Sequence, residues 1–207
     1  MSKLSQPSVT QPSSSSQAEY SLEERQILLS LAHQAILSAL NDKPLPPASY
    51  SSHLSGMRGV FTTLYLHENL RGCVGYVLPV APLYRAVAET ASAAAFDDSR
   101  FWPVTAQEGP LLKVSLSVLS RLTPIHPEEV EVGRHGLIVS RGIHRGLLLP
   151  QVALEHDWNR ETFLEQTCNK AGLPSDAWHK GATLEAFTAE IFSDSDIPPS
   201  TGLTPPL

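Results

Sequence analysis

The amino-acid sequence predicts an α+β fold with mixed, largely antiparallel sheets and helices packed on them. Two observations lead to this prediction. Segments typical of β-hairpins are interleaved with segments typical of helices, without the regular strand–helix repeat of a doubly wound parallel sheet. The chain has 207 residues, of which 42% are hydrophobic, and this is enough to build the core of one domain.

The first predicted element is a helix with a clear start. Ser21 and Glu24 have the Ser-x-x-Glu spacing of a capping box, in which the two side chains satisfy free amides of the first turn. Apolar residues then recur at helical spacing as far as Ile36. Asn41 and Pro44 end the helix, because proline has no amide hydrogen to donate.

A β-hairpin and a second helix are predicted next. Residues 60–66 are rich in β-branched and aromatic side chains, which favour a strand. Residues 67–69 supply the turn, and residues 70–77 form the returning strand. After Pro82, the alanine-rich segment 83–96 predicts a helix whose small side chains allow close packing on a sheet.

The second half of the chain begins with a strand and another hairpin. Apolar and polar residues alternate strictly over residues 112–118, which is typical of a half-buried strand. Residues 136–140 and 145–149 flank a predicted turn at residues 141–142 and form the second hairpin. A short helix is predicted after Pro150.

Two further elements complete the predicted domain. A helix covers residues 160–171, with Asn159 as its N-cap and Gly172 just beyond its C-terminus. One continuous last strand is predicted over residues 184–192. The folded domain therefore extends over residues 19–193.

Both ends of the chain are rich in serine and proline. Residues 1–18 and 194–207 contain too little apolar surface to offset the entropy lost on folding, so we predict two disordered tails. The first tail lacks the apolar segment of a secretory signal. We therefore expect a cytoplasmic protein in which Cys73 and Cys168 are reduced.

Charge and hydropathy disfavour two classes of protein. The formal net charge is −6, and the lysines and arginines form no dense basic stretch, so nucleic-acid binding is not expected. Polar residues interrupt every apolar run before it reaches membrane-spanning length, so no membrane span is expected.

The segment with the strongest functional signal is LRGCVG, residues 70–75. Arg71 and Cys73 share one face of the predicted strand, and a guanidinium beside a thiol favours the nucleophilic thiolate. Gly72 and Gly75 permit a bulge, or close approach of backbone or ligand. Cys73 is therefore a candidate catalytic residue, and the three others are candidate ligand contacts. The alternative is a small thiol that packs under a helix.

Three further residues are candidates for ligand binding. Asp98 and Arg100 lie in the loop after the alanine-rich helix, where they either contact a ligand or form a local ion pair. His135 precedes a glycine at a strand start, where it is either a functional imidazole or part of a surface turn. No histidine–cysteine spacing typical of a metal site occurs, and no sequence motif identifies a cofactor.

Several of these segments, taken in order, resemble the AMMECR-one domain family, whose bacterial members are called AmmeMemoRadiSam system protein A. The hexapeptide at residues 70–75 is the family's hallmark, and its D-x-R-F-x-P element stands at residues 98–103. Further matching segments lie at residues 58–64, 115–119, 133–137, 148–153 and 170–173. The resemblance covers residues 21–192, and His33 stands where an arginine is more usual.

The resemblance implies a larger and a smaller lobe with a cleft between them. It also implies two partners, a Memo-like protein and a radical SAM enzyme. One expected function is an accessory or ligand-binding component of that system. The other is a cysteine-dependent enzyme that acts on a small anionic substrate in a cleft around Cys73. In the enzyme, Arg71 and Arg100 would hold the anion, and Asp98 would orient an arginine or move a proton.

Overall fold

The computed structural model describes residues 18–197, so most of the predicted tails 1–18 and 194–207, namely residues 1–17 and 198–207, lies outside the described residues. The helices are α1 Leu22–Leu40, α2 Leu83–Phe96, α3 Pro150–Glu155 and α4 Arg160–Lys170. The strands are β1 Val60–Leu66, β2 Asn69–Tyr76, β3 Lys113–Leu119, β4 Thr123–Pro124, β5 Gly136–Arg141, β6 His144–Leu148, β7 Thr183–Phe187 and β8 Ala189–Ser193. All strand pairs within this part of the chain are antiparallel, and the predicted α+β fold is confirmed.

The strands form two four-stranded sheets. The first has the order β2-β1-β3-β8 and the second has the order β4-β7-β5-β6. Helices α1 and α2 cover one face of the first sheet, and α4 packs on β5 and β6 of the second. Each sheet has its own hydrophobic core, and a small cluster of Leu119, Ile138 and Phe187 lies between them.

The predicted helix starts follow the sequence closely. Ser21 caps α1 with the reciprocal bonds of a capping box to Glu24, and Asn159 caps α4 through its side chain. Gly172 follows α4 with a positive φ of 70°, the left-handed conformation that glycine adopts most easily. Each of these signals acts between residues that are close in the chain, so tertiary contacts did not change the predicted helix ends.

The two hairpin turns differ from the prediction by one residue each. In the first, His67 and Glu68 form the loop with φ values of 49° and 64°, and Asn69 already belongs to β2. Positive φ at both loop residues is the conformation that joins two strands through a two-residue turn. In the second, Arg141 pairs with His144, so the turn lies at residues 142–143 and not at residues 141–142.

The prediction of one continuous last strand is wrong. The chain over residues 184–192 is divided between β7 in the second sheet and β8 in the first. Thr188 separates them: its carbonyl accepts from the Ser120 amide at 2.9 Å, and its amide donates to Ser120 Oγ at 3.0 Å. Ser120 lies just after β3, where the earlier chain also leaves the first sheet. The chain thus passes between the two sheets at Ser120 and again at Thr188, and the two hydrogen bonds join these crossing points.

Residues 194–197, which the sequence assigns to the second tail, continue the folded part. Residues 194–196 form a 3-10 turn, and Ile197 packs against the first core. Asp194 Oδ2 accepts from the Val114 amide at 2.7 Å and lies 2.9 Å from His33 Nε2. No helix within residues 18–197 is long and apolar enough to cross a membrane.

Candidate functional site

Strand β2 carries the hexapeptide at the edge of the first sheet. Within the described residues 18–197 it pairs with β1 alone, and Cys73 lies opposite Thr63. On the outer side of β2, Asp98 Oδ2 accepts from the Cys73 amide at 2.8 Å, and Arg100 Nη2 donates to the Cys73 carbonyl at 3.3 Å. The loop after α2 thus occupies backbone groups that an edge strand otherwise leaves free.

Asp98 and Arg100 are also bound to each other. Arg100 Nε donates to Oδ1 at 3.0 Å and Nη2 donates to Oδ2 at 2.7 Å, which is a bidentate ion pair. The Asp98 side chain is 6% exposed, whereas that of Arg100 is 55% exposed. The Arg100 guanidinium, together with the amides of Cys73 and Arg100, holds the pKa of Asp98 well below its usual range. The structure therefore brings Cys73, Asp98 and Arg100 together through the backbone of the strand.

Arg71 has a carboxylate partner of its own. Its Nε donates to Glu108 Oε1 at 3.0 Å, and its Nη2 donates to Oε2 at 3.2 Å and to the Pro103 carbonyl at 3.3 Å. The Arg71 guanidinium, followed by the Thr105 amide, lowers the pKa of Glu108 to about 2. Glu108 was not a predicted site residue, because no local motif connects it to Arg71. This pair fastens the loop before β3 to the edge strand.

The two glycines of the hexapeptide are packed against the protein itself. A Cβ atom on Gly72 would lie 2.0 Å from the Ala94 carbonyl oxygen in α2. A Cβ atom on Gly75 would lie 2.3 Å from the Phe61 ring, which belongs to the opposing residue of β1. The close approach predicted from these glycines is therefore made by a helix backbone and by an aromatic ring.

The Cys73 thiol lies on the face of the first sheet that α1 and α2 do not cover. Thr63 Oγ1 donates to Cys73 Sγ at 3.3 Å, and the thiol is half-buried. The strand register continues this line across the sheet, from Cys73 to Thr63, Ser115 and Ser193. We call these four residues the thiol–hydroxyl row. Alternation in the sequence placed Ser115 on the polar face of its strand, but the strand register was needed to align the four side chains.

His135 lies elsewhere in the fold. It directly precedes β5 of the second sheet, and its Nδ1 accepts from the Glu131 amide at 3.0 Å, which closes a turn. Burial lowers the pKa of His135. Within residues 18–197, its hydrogen bonds go only to Glu131. The structure thus separates His135 from the residues around Cys73.

The side chains that could bind a metal ion do not form a cluster in the described part of the chain. Among residues 18–197, no three His, Cys, Asp or Glu side chains are grouped so that they could hold a metal ion. The chemically distinctive groups at the edge of the first sheet are thus a half-buried thiol, several hydroxyls and two arginine–carboxylate pairs.

Comparisons with known proteins give consistent matches. The AMMECR1 family model matches residues 29–192. A protein of Aquifex aeolicus is 38% identical over 179 residues, which is 82% of this chain and 92% of that protein. Protein PF1979 of Pyrococcus furiosus is 43% identical over 183 residues, 82% of this chain and 87% of that protein. The crystal structure of the uncharacterised protein PH0010 from Pyrococcus horikoshii is similar with a TM-score of 0.62 and 43% identity, over 80% of this chain and 89% of that one.

Proposed function

Because this chain belongs to the AMMECR1 family, we propose that it is a cytoplasmic accessory or ligand-binding component that works with a Memo-like protein and a radical SAM enzyme. One observation carries the choice of an accessory role over a catalytic one. Both arginines that were expected to hold an anionic substrate are engaged by carboxylates of the protein, Arg71 by Glu108 and Arg100 by Asp98.

These ion pairs favour a structural use of the arginines. An anionic substrate would have to displace a bidentate carboxylate from Arg71, whose side chain is mostly buried. At Arg100 it would have to compete with the buried carboxylate of Asp98 for the Nε and Nη2 donors of the guanidinium. Charge-assisted bidentate pairs are among the strongest hydrogen bonds in proteins, so such displacement is costly. The arginines thus act to hold loops against the edge strand.

The same loop offers a group suited to partner binding. Trp102 follows the Asp98–Arg100 pair by two residues and is 89% exposed. Tryptophan is one of the residue types enriched among those that dominate binding energy in protein interfaces. The loop that Asp98 and Arg100 fasten to the backbone of Cys73 thus carries an exposed indole, and this arrangement is suited to docking a partner protein.

Co-purification tests this function. We expect the tagged chain to co-purify with the Memo-like protein or the radical SAM enzyme of the same genome when all three are expressed together. Trp102→Asp should weaken this association by about 30-fold or more, because losing a central interface tryptophan costs about 2 kcal/mol or more. Ile143→Asp is the matched control, since Ile143 is 97% exposed at the tip of the second hairpin.

Two outcomes would contradict the accessory role. The first is that neither protein co-purifies with the wild-type chain at any expression level. The second is that the purified chain alone converts a metabolite, which a component without chemistry of its own does not do. Equal weakening by Trp102→Asp and Ile143→Asp would instead exclude the Trp102 loop as the docking surface.

A cysteine-dependent enzyme that acts on a small anionic substrate is the second candidate. The observation in its favour is the half-buried Cys73 thiol, with the Thr63 hydroxyl as hydrogen-bond donor at 3.3 Å. A nucleophilic cysteine requires a thiolate that reagents can reach.

Alkylation with iodoacetamide, followed by mass spectrometry, separates the two candidates. For an accessory component we expect Cys73 to react no faster than an unstructured peptide thiol, and we expect Cys73→Ala to leave co-purification intact. Cys168 is the internal control, because it is fully buried in α4 and should react only after unfolding. Reaction of Cys73 at ten or more times the peptide rate (about 1.4 kcal/mol), with loss of pathway product in Cys73→Ala, would favour the enzyme.

A further inference from the structure

A groove lies between α1 and residues 48–54, on the helix-covered side of the first sheet. Its volume is about 740 Å³, within the range of pockets that hold small molecules. Leu31 and Leu54 form a buried apolar floor, and Ile27 and Tyr50 line it with partly exposed side chains. Since the Cys73 thiol lies on the opposite face of this sheet, the groove is separate from the candidate site described above.

The wall opposite α1 is fixed in place at two points. His53 Nδ1 lies 2.8 Å from Glu24 Oε1, and the His53 ring stacks on Tyr20 with centroids 4.8 Å apart. Nearer the middle of the segment, Tyr50 stacks on Tyr84 with centroids 4.5 Å apart. Because these contacts anchor the irregular segment to α1 and α2, the groove is formed before any ligand arrives, and little ordering entropy opposes binding.

The charge of the groove is of one sign. Among residues 18–197, Glu23 and Glu24 are the charged residues that line the groove, and no lysine, arginine or histidine lines it. Glu24 is used locally, since its Oε2 accepts from the Ser21 amide at 3.0 Å and its Oε1 contacts His53. Glu23 is exposed and makes no side-chain hydrogen bond within residues 18–197, so its carboxylate is available to a ligand.

We propose that this groove binds a small amphipathic organic amine. The apolar body of the ligand packs on Leu31, Leu54 and the Tyr50 ring, and its ammonium group lies beside the Glu23 carboxylate. An aromatic face and a carboxylate both attract a cation, whereas the same groups repel an anion. The proposal does not depend on the function of Cys73 or on any partner protein.

A pair of probes that differ in charge tests the proposal on the full-length chain. Tryptamine is a cation at neutral pH, and indole-3-acetate has a similar size and ring but is an anion. By calorimetric titration at low salt, we expect tryptamine to bind about tenfold more tightly than indole-3-acetate. Raising the salt concentration should reduce this difference, because exposed charges are screened.

One variant and one matched control locate the binding site. Glu23→Gln should weaken tryptamine binding about fivefold and, by removing the repulsion of the carboxylate, strengthen indole-3-acetate binding. Glu161→Gln should change neither, although Glu161 is also an exposed glutamate in the first turn of a helix, α4. Both side chains lie on the surface, so neither change should impair folding. Absence of tryptamine binding, equal binding of the two probes, or equal effects of the two variants would overturn the proposal.

Discussion

Gly72→Ala is expected to lower the free energy of unfolding by about 3 kcal/mol, the upper part of the range for overpacked cores. The new Cβ atom would lie 2.0 Å from the Ala94 carbonyl oxygen and 3.0 Å from its carbonyl carbon. Both are backbone atoms of α2, so no side-chain rotation relieves the clash. Strand β2 and helix α2 must instead move apart, and this opens the core that α2 forms with the first sheet.

Urea denaturation of the two variants Gly72→Ala and Gly142→Ala provides the measurement and its control. A Cβ atom at Gly142 meets nothing within 4 Å, but the residue has a φ of 61°, so alanine there costs only backbone strain of about 1 kcal/mol. The clash at Gly72 should therefore exceed the strain at Gly142. If both variants lose the same stability, α2 adapts to the methyl group, and the close packing seen at Gly72 does not restrict the hexapeptide.

Elements whose signals are local were predictable from the sequence. The capping box at Ser21, the N-cap at Asn159 and the glycine after α4 each act within one turn of helix, so the residues that decide the structure are neighbours in the chain. Strand β3 was predictable for a similar reason, because the alternation of apolar and polar residues indicates a strand with one buried face.

The division between β7 and β8 could not be predicted by the same reasoning. Alternation breaks at Ala186 and Phe187, which are both buried, and the chain then changes sheets at Thr188. What stabilises this change is Ser120, 68 residues earlier. A run of β-forming residues does not show which distant residue will form hydrogen bonds with it, so the sequence alone favoured one long strand.

The candidate site shows the same limit at the level of single side chains. The sequence drew attention to Arg71, Cys73, Asp98 and Arg100, and left both a ligand site and a local ion pair open. The structure contains the ion pair, and it adds contacts from that pair to the Cys73 backbone. Glu108, 37 residues from Arg71, was not identified, because an isolated glutamate in a loop has many possible roles.

Asp98→Ala is expected to lower the free energy of unfolding at neutral pH by about 2–3 kcal/mol. The change removes the acceptor of the Cys73 amide and leaves the Arg100 guanidinium without its carboxylate. Hydrogen bonds to charged groups contribute more than neutral ones, and the Asp98 side chain is almost fully buried. Part of the ion-pair contribution is lost to solvent screening, because Arg100 is half exposed. The free edge of β2 should also make the variant prone to self-association.

The pH dependence of stability isolates the charge of Asp98 from its shape. Its pKa is depressed in the folded state, so the stabilisation is complete above the unfolded-state pKa of about 4 and is lost as the pH falls through the folded-state pKa. Asp98→Asn removes the titrating group, so the difference in urea stability between wild type and Asp98→Asn should shrink as the solution is acidified below pH of about 4. Asp97→Asn, at the exposed neighbouring residue, should follow the wild type at every pH. The difference in urea stability between wild type and Asp98→Asn could instead stay constant on acidification. The shape of the Asp98 side chain, and not its charge, would then explain how this loop binds the edge strand at Cys73.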